Sequence, residues 1–178
     1  MRAERTALAL ATVLAGLSAG FFFTYQASVV RALATLDDQT YVTTFQAINE
    51  TVGNPAFAVV FFGTPPATAA ALLLHRGDHR RRVLLGAGLA LVVSVVAITA
   101  LVNVPLNDDL ATVEATVAAD ATTARAEFED PWNRANLARA VASIAGAACL
   151  VGACVVNAAP RSRPTGDTRR REPVAVTV

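Results

Sequence analysis

Four stretches of this chain are apolar and free of charge for long enough to cross a membrane: near Ala7 to Val30, Pro55 to Leu74, Val83 to Val102 and Ala140 to Ala159. A helix needs roughly 20 such residues to traverse about 30 Å of hydrocarbon. Inside hydrocarbon each backbone amide must be satisfied by the protein itself, so windows of this length are read as helices. The expectation is an all-α fold. A four-transmembrane-helix bundle occupies residues 1–160, and a disordered, arginine-rich cytoplasmic tail follows over 161–178.

Composition points the same way, with 54% hydrophobic and 16% charged residues in a chain of 178. Arg2 and Arg5 ahead of the first window also fit a signal peptide. The apolar run, however, continues past Ser18, Ala19 and Gly20 through three phenylalanines to Val30, longer than the apolar core of a leader. A net charge of +1 gives no general attraction to nucleic acid, whereas membrane lipid is an expected partner.

Orientation follows from the arginines, which cytoplasmic segments retain. Arg2 and Arg5 precede the first window; Arg76, Arg80, Arg81 and Arg82 lie between the second and third; five more follow the fourth. The other two connections are mainly acidic. Both termini are therefore expected in the cytoplasm, with the protein integral to the plasma membrane. In the first outer connection Tyr41, Phe45 and Ile48 fall at helical spacing behind a cap at Asp37 or Asp38. In the second, Leu106, Leu110, Val113 and Val117 repeat that spacing. Short amphipathic helices are expected in both.

Within the windows, Thr12, Gly16, Gly20, Thr24 and Ser28 form a ridge of small residues suited to close helix packing. The second window starts with the cap and first turn Asn54-Pro55 and is interrupted near its middle by Gly63-Thr64-Pro65-Pro66. No window holds an ionisable residue at its centre, which argues against an ion-coupled transport cycle. Cys149 and Cys154 are read as buried small hydrophobes. His75 and His79 lack a third metal ligand nearby, and no phosphate-binding glycine loop or CxxC pair is present.

The segment DPWNRANLARAV, residues 130 to 141, leads into the last window and is unusually rich in Trp, Asn and Arg. Asp130-Pro131 reads as a helix start. From there, Trp132, Asn136, Arg139 and Ser143 share one face at 100° per residue, with Arg134 opposite. Asn103 and Asn107 end the third window at the same side; Asn49 and Asn54 lead into the second; Thr24, Tyr25 and Gln26 end the first. One account is interfacial anchoring and capping, which covers Trp132 and Arg134. The other is a polar network that lines a pocket for a small aromatic or hydrophobic ligand. Both stay open on the residues alone.

Three segments, FQAINETVGNPAFAVVFFGT at 45–64, ALVNVPLNDDLA at 100–111 and PWNRANLARAVAS at 131–143, occur in this order among the four windows. In them the chain resembles the integral-membrane DUF1772, or anthrone oxygenase-like, family. The resemblance implies a four-helix membrane domain, and for some members the oxidation of polyketide anthrones to anthraquinones. Its recurrent positions match Asn49, Asn54, Pro55, Asn103, Pro105, Asn107, Trp132, Asn136 and Arg139. Ala135 and Leu137 stand where relatives often carry a second Trp and a His.

Anthrone oxidation requires a base, an apolar pocket and a donor for the oxyanion, since the anthrone anion passes electrons to dioxygen without metal or flavin. Arg139, with Asn103 and Asn136, is the candidate catalytic donor set. Tyr25, Asn49, Asn54, Asn107 and Trp132 are candidate substrate contacts. Asp108 and Asp130 are the conceivable bases, in wet acidic surroundings. No metal and no cofactor is expected. The alternative is a membrane protein without enzymatic activity that binds a lipid or small hydrophobic ligand, or scaffolds a partner. The sequence carries no sign of an oligomeric state.

Overall fold

The structure, a computed structural model, describes residues 2–156; the tail expected over 161–178 and the last residues of the fourth window lie outside them. The described chain is helical throughout: α1 (Arg2–Thr24), a π turn (Tyr25–Val29), α2 (Val30–Leu33), α3 (Asp38–Val52), α4 (Pro55–Leu74), α5 (His79–Ile98), a second π turn (Thr99–Asn103), α6 (Val104–Ala111) and α7 (Ala118–Val155). Among the described residues, four continuous helical stretches are long and apolar enough to cross a membrane: Arg2–Leu33, Pro55–Leu74, His79–Ala111 and Ala118–Val155.

These stretches are unequal, and the inequality shapes the molecule. Pro55–Leu74 has 20 residues and matches the hydrocarbon thickness, whereas the 38 residues of α7 extend about 57 Å at 1.5 Å per residue. The first half of α7 therefore stands beyond the bundle, and α3 and α6 pack against it. Together they form a cap with its own core of Leu33, Tyr41, Phe45, Leu110, Phe128 and Trp132. The opposite end of the bundle carries the N-terminus and the α4–α5 turn, and is termed the terminal end.

Local chemistry sets the boundaries. Asp37 caps α3 as expected: its carboxylate accepts from the Thr40 amide at 3.0 Å and the Thr40 hydroxyl at 2.7 Å. The Thr40 hydroxyl and amide hold that carboxyl below the usual aspartate range. Asn54 caps α4, accepting from the Phe57 amide at 3.0 Å, with Pro55 in the first turn. Asp78 caps α5 through the Arg81 amide at 3.2 Å.

Several expectations are corrected. Pro65 and Pro66 do not interrupt α4, which is continuous across them. A proline ring fixes φ near the helical value, so adjacent prolines cost two amide donors without demanding a break. α7 does not begin at Asp130-Pro131 but twelve residues earlier, at Ala118, with Pro131 inside it. α6 ends at Ala111, so Leu106 and Leu110 are helical while Val113 and Val117 lie outside regular helix. The small-residue ridge of the first helix faces outward: Gly16, Gly20, Thr24 and Ser28 are exposed, and a Cβ on either glycine would meet nothing within 4 Å. Its buried face is Leu8, Ala11, Ala15, Ala19 and Phe22.

Close backbone approach occurs instead between α5 and α7. A Cβ on Gly88 would stand 3.6 Å from the Gly146 carbonyl oxygen, and one on Gly146 would stand 3.7 Å from that of Gly88. Of the cysteines, Cys149 is half-buried but Cys154 is exposed, its sulfur 3.5 Å from the Thr12 hydroxyl; both are free thiols.

Candidate functional site

The polar face of α7 turns inward where the cap meets the bundle. Trp132, Asn136, Arg139 and Ser143 are all at least nine-tenths buried, while Arg134 is exposed. Trp132 is thus not an interfacial anchor. Its indole N–H donates to Asn107 Oδ1 at 2.8 Å, and its ring packs against Phe45 and Tyr25 at centroid distances of 4.8 and 5.4 Å.

Arg139 is the centre of this face. One terminal nitrogen donates to the Thr99 hydroxyl at 3.2 Å and the other to Asn136 Oδ1 at 3.0 Å. Asn136 then donates from Nδ2 to Gln26 Oε1 at 2.7 Å. The guanidinium carbon lies 4.9 Å from the Phe22 ring centroid and 5.2 Å from that of Trp132. Aromatic faces stabilise a desolvated cation by up to about 2 kcal/mol each. Arg139 forms no ion pair among the described residues, and its Nε has no hydrogen-bond partner.

Irregular backbone supplies Thr99, one partner of Arg139, and Gln26, which holds the other, Asn136. Val30 N–H bonds to Tyr25 O and Val104 N–H bonds to Thr99 O, each spanning five residues instead of four. One π turn therefore precedes the cap in the first membrane-crossing stretch and another in the third. The first delivers Tyr25 and Gln26 to the centre, the second Thr99 and Asn103. Such turns rotate the following side chains out of α register and are frequent at functional sites. Asn103 is 1% exposed; its amide donates to Trp132 O at a long 3.5 Å and its Oδ1 has no partner.

Arg139 Nε and Ser143 Oγ, one turn apart on α7, are buried without hydrogen-bond partners, as is Oδ1 of Asn103, whose amide meets α7 at Trp132. Buried polar atoms without partners are uncommon in folded proteins, so these three are candidates for completion by a bound molecule or a water.

The remaining candidates divide. Asn107 orients Trp132. Asn49 is half-buried with Nδ2 unpartnered, and lines a separate cleft of about 450 Å³ between α3 and α6 with Gln46, Asn107 and Asp108. Asn54 is occupied at both ends of its amide by capping, to Phe57 N and Thr51 O. Asp108 and Asp130 are exposed, and neither is a partner of Arg139. Helical spacing put Asn136 and Arg139 on one face and position at the end of the third window marked Asn103, whereas Phe22 and Thr99 were not singled out. Both sit among apolar neighbours with nothing in the pattern to single them out.

At the terminal end, His75 is buried, with Nδ1 at 2.6 Å from Glu4 Oε1 and Nε2 at 3.1 Å from Asp78 O. His79 is exposed. Among the described residues no cluster of three or more His, Cys, Asp or Glu is arranged to hold a metal ion.

Compared with known proteins, the sequence model of the family described as anthrone oxygenase matches residues 56–149. The match takes in Asn103, Asn107, Trp132, Asn136, Arg139 and Ser143, and leaves α1, the first π turn and α3 outside it. No curated protein and no solved structure matches the chain.

Proposed function

The chain belongs to the anthrone oxygenase family, and from that premise we propose that it is a cofactor-independent oxygenase acting on anthrone-like aromatic ketones, with Arg139 as the group that holds the substrate's oxygen. The observation that carries this reading is the buried Arg139, with no counter-ion among the described residues and an unpartnered Nε–H. A desolvated cation with a free donor stabilises an oxygen anion far better than the same group in water does.

The chemistry uses that feature in its first step. Loss of a methylene proton converts the ketone to its enolate, whose charge rests on the carbonyl oxygen facing Arg139. The enolate gives one electron to dioxygen; the carbon radical and superoxide combine and take up a proton as a hydroperoxide. Loss of water from that carbon leaves a second carbonyl. The sum is ketone plus O2 to quinone plus H2O. Asn136 and Thr99 hold the guanidinium, Asn103 is a second polar contact, and Tyr25 and Trp132 flank the ring system.

The hydrogen-bond partners of Arg139 are Thr99 and Asn136, neither of which is a base. In this reading the proton leaves to solvent, and turnover rises with pH across the neutral and mildly alkaline range. The protein lies in the plasma membrane with its cap outside and both termini in the cytoplasm. The arginines at the terminal end and the acidic residues of the cap support this orientation.

The test is oxygen uptake and quinone formation by the purified protein with an anthrone, against Arg139→Gln. Loss of an oxyanion donor lowers kcat by about 100-fold or more. Equal turnover by the two proteins overturns the reading. No uptake by either, across several anthrones and pH values, moves it to a ligand-binding membrane protein without enzymatic activity.

A further inference from the structure

α1 and α4 leave between them a cleft of about 320 Å³, within the roughly 300–1,000 Å³ of small-molecule sites. Its walls include Leu17, Phe21 and Phe22 from α1 and Phe57, Val60 and Phe61 from α4. Leu17 and Phe21 are 55% and 39% exposed on helices long and apolar enough to cross a membrane, so the flank of the cleft faces hydrocarbon, while Val52 and Asn54 line its end at the α3–α4 connection. A membrane-facing surface is apolar by necessity, but the ring geometry here is more specific. Phe57 and Phe61 stack at 5.2 Å and 15°, and Phe21 meets Phe57 at 5.2 Å.

The inner wall is Phe22, 2% exposed, whose ring also carries the Arg139 guanidinium at 4.9 Å. One aromatic side chain therefore separates the cleft from a buried cation that has an unpartnered N–H. Phe61 and Ser18 line both the cleft and a second cavity of about 10 Å³, whose wall includes the unpartnered Ser143 hydroxyl. That space holds about one water-sized molecule.

We infer that a planar, fused-ring ligand bearing one oxygen acceptor reaches Arg139 through this cleft, laterally from the bilayer, with Phe22 as the movable partition. The inference rests on the reading of Arg139 given above and adds the route by which that ligand arrives. Flat rings gain offset stacking on Phe57 and Phe61, about 0.5–1.5 kcal/mol for each pair. The ligand's oxygen supplies the acceptor that Arg139 lacks. A lipid acyl chain brings neither ring nor oxygen.

The full chain in lipid nanodiscs is irradiated with 9,10-anthraquinone, whose excited carbonyl abstracts hydrogen from adjacent C–H bonds, and adducts are mapped by peptide mass spectrometry. Saturable adducts are expected on Leu17 and Val60. Ala56→Phe and Leu17→Phe, which fill the cleft from opposite walls, reduce the adducts on the untouched wall by about tenfold, equivalent to about 1.4 kcal/mol of binding. Val93→Phe, exposed on α5, leaves them unchanged.

Adducts spread over exposed residues such as Leu73 and Leu101 signify bilayer partition and overturn the inference. Adducts confined to the cleft between α3 and α6 signify access from water and overturn it too, leaving the oxygenase reading intact. Absence of any adduct overturns it as well. Adducts in the α1/α4 cleft without oxygen uptake support the ligand route while the oxygenase reading fails.

Discussion

Two arginines of α7 occupy opposite situations. Arg125 donates to Glu129 at 2.7 Å, to Asp38 at 3.1 Å and to Leu36 O at 2.7 Å, and stacks over Tyr41 at 4.4 Å. It fastens α7 to the start of α3. Arg139 has neutral partners only, and an ion buried without a counter-ion opposes folding. Arg139→Met is therefore expected to unfold within about 2 kcal/mol of the wild type, because the variant sheds a desolvation penalty as it loses two hydrogen bonds. Arg125→Met, which strands two carboxylates, unfolds at a lower temperature than Arg139→Met. The reverse order in a thermal melt contradicts a ligand-directed role for Arg139. Tyr41 offers a second residue-level check. Burial, and next the Glu129 carboxylate, push its phenol above the usual tyrosine value. A raised folded-state value means stability that is complete below about pH 10 and lost as pH rises beyond it. Tyr41→Phe should flatten that alkaline loss in a pH series of melts.

At the scale of elements, spacing at 100° per residue located the polar face of α7, because that part of the helix is regular. Gln26, Asn103 and Asn107 were placed at the same end as that face, but Thr99, delivered by a π turn, was not. A five-residue bond changes register locally, and no repeat in Tyr25–Val29 or Thr99–Asn103 announces it. The span boundaries were legible where a strong cap exists, as at Asn54-Pro55, and misplaced where none does. Val117 precedes α7 with no side-chain cap, and Asp130-Pro131 imitates one. The small-residue ridge misled for a different reason: spacing identifies a face but not what it packs against. Gly88 and Gly146, without a repeat, are the residues at the close crossing. Gly88→Leu should destabilise by about 1–3 kcal/mol, since the side chain would drive α5 from α7. Gly20→Ala, with open space at its Cβ, should stabilise α1 by about 0.5–1 kcal/mol. Chemical or thermal unfolding in detergent distinguishes the pair, and equal effects would contradict the packing described.

Over the whole molecule, the length of the apolar windows made the four-helix architecture readable before any contact was known. What could not be read were the clasps between distant segments. At the terminal end, Glu4 of α1 meets His75 at the end of α4 and lies 4.0 Å from Arg81 of α5, which donates to the Val156 carbonyl after α7, so four helices are tied together. His75→Ala, which removes the partner of Glu4, should lower stability by about 1–3 kcal/mol without altering ligand binding at the far end of the bundle. The cap end is tied by Arg125, and the centre between the two ends is left with Arg139 and its unmatched Nε. That division, with ion-paired clasps at the ends and a cation without a carboxylate partner among the described residues between them, is the feature on which the functional account turns. Trp132, the only tryptophan of the chain, lies 5.2 Å from the Arg139 guanidinium and reports on it directly. The decisive measurement is its fluorescence in nanodiscs titrated with anthracene-9-carboxylate and with anthracene, in wild type and in Arg139→Gln. The wild type should bind the carboxylate about tenfold or more tightly than the variant does, with anthracene binding both alike. Equal affinity of the two proteins for the carboxylate would contradict the assignment of Arg139 as an anion site.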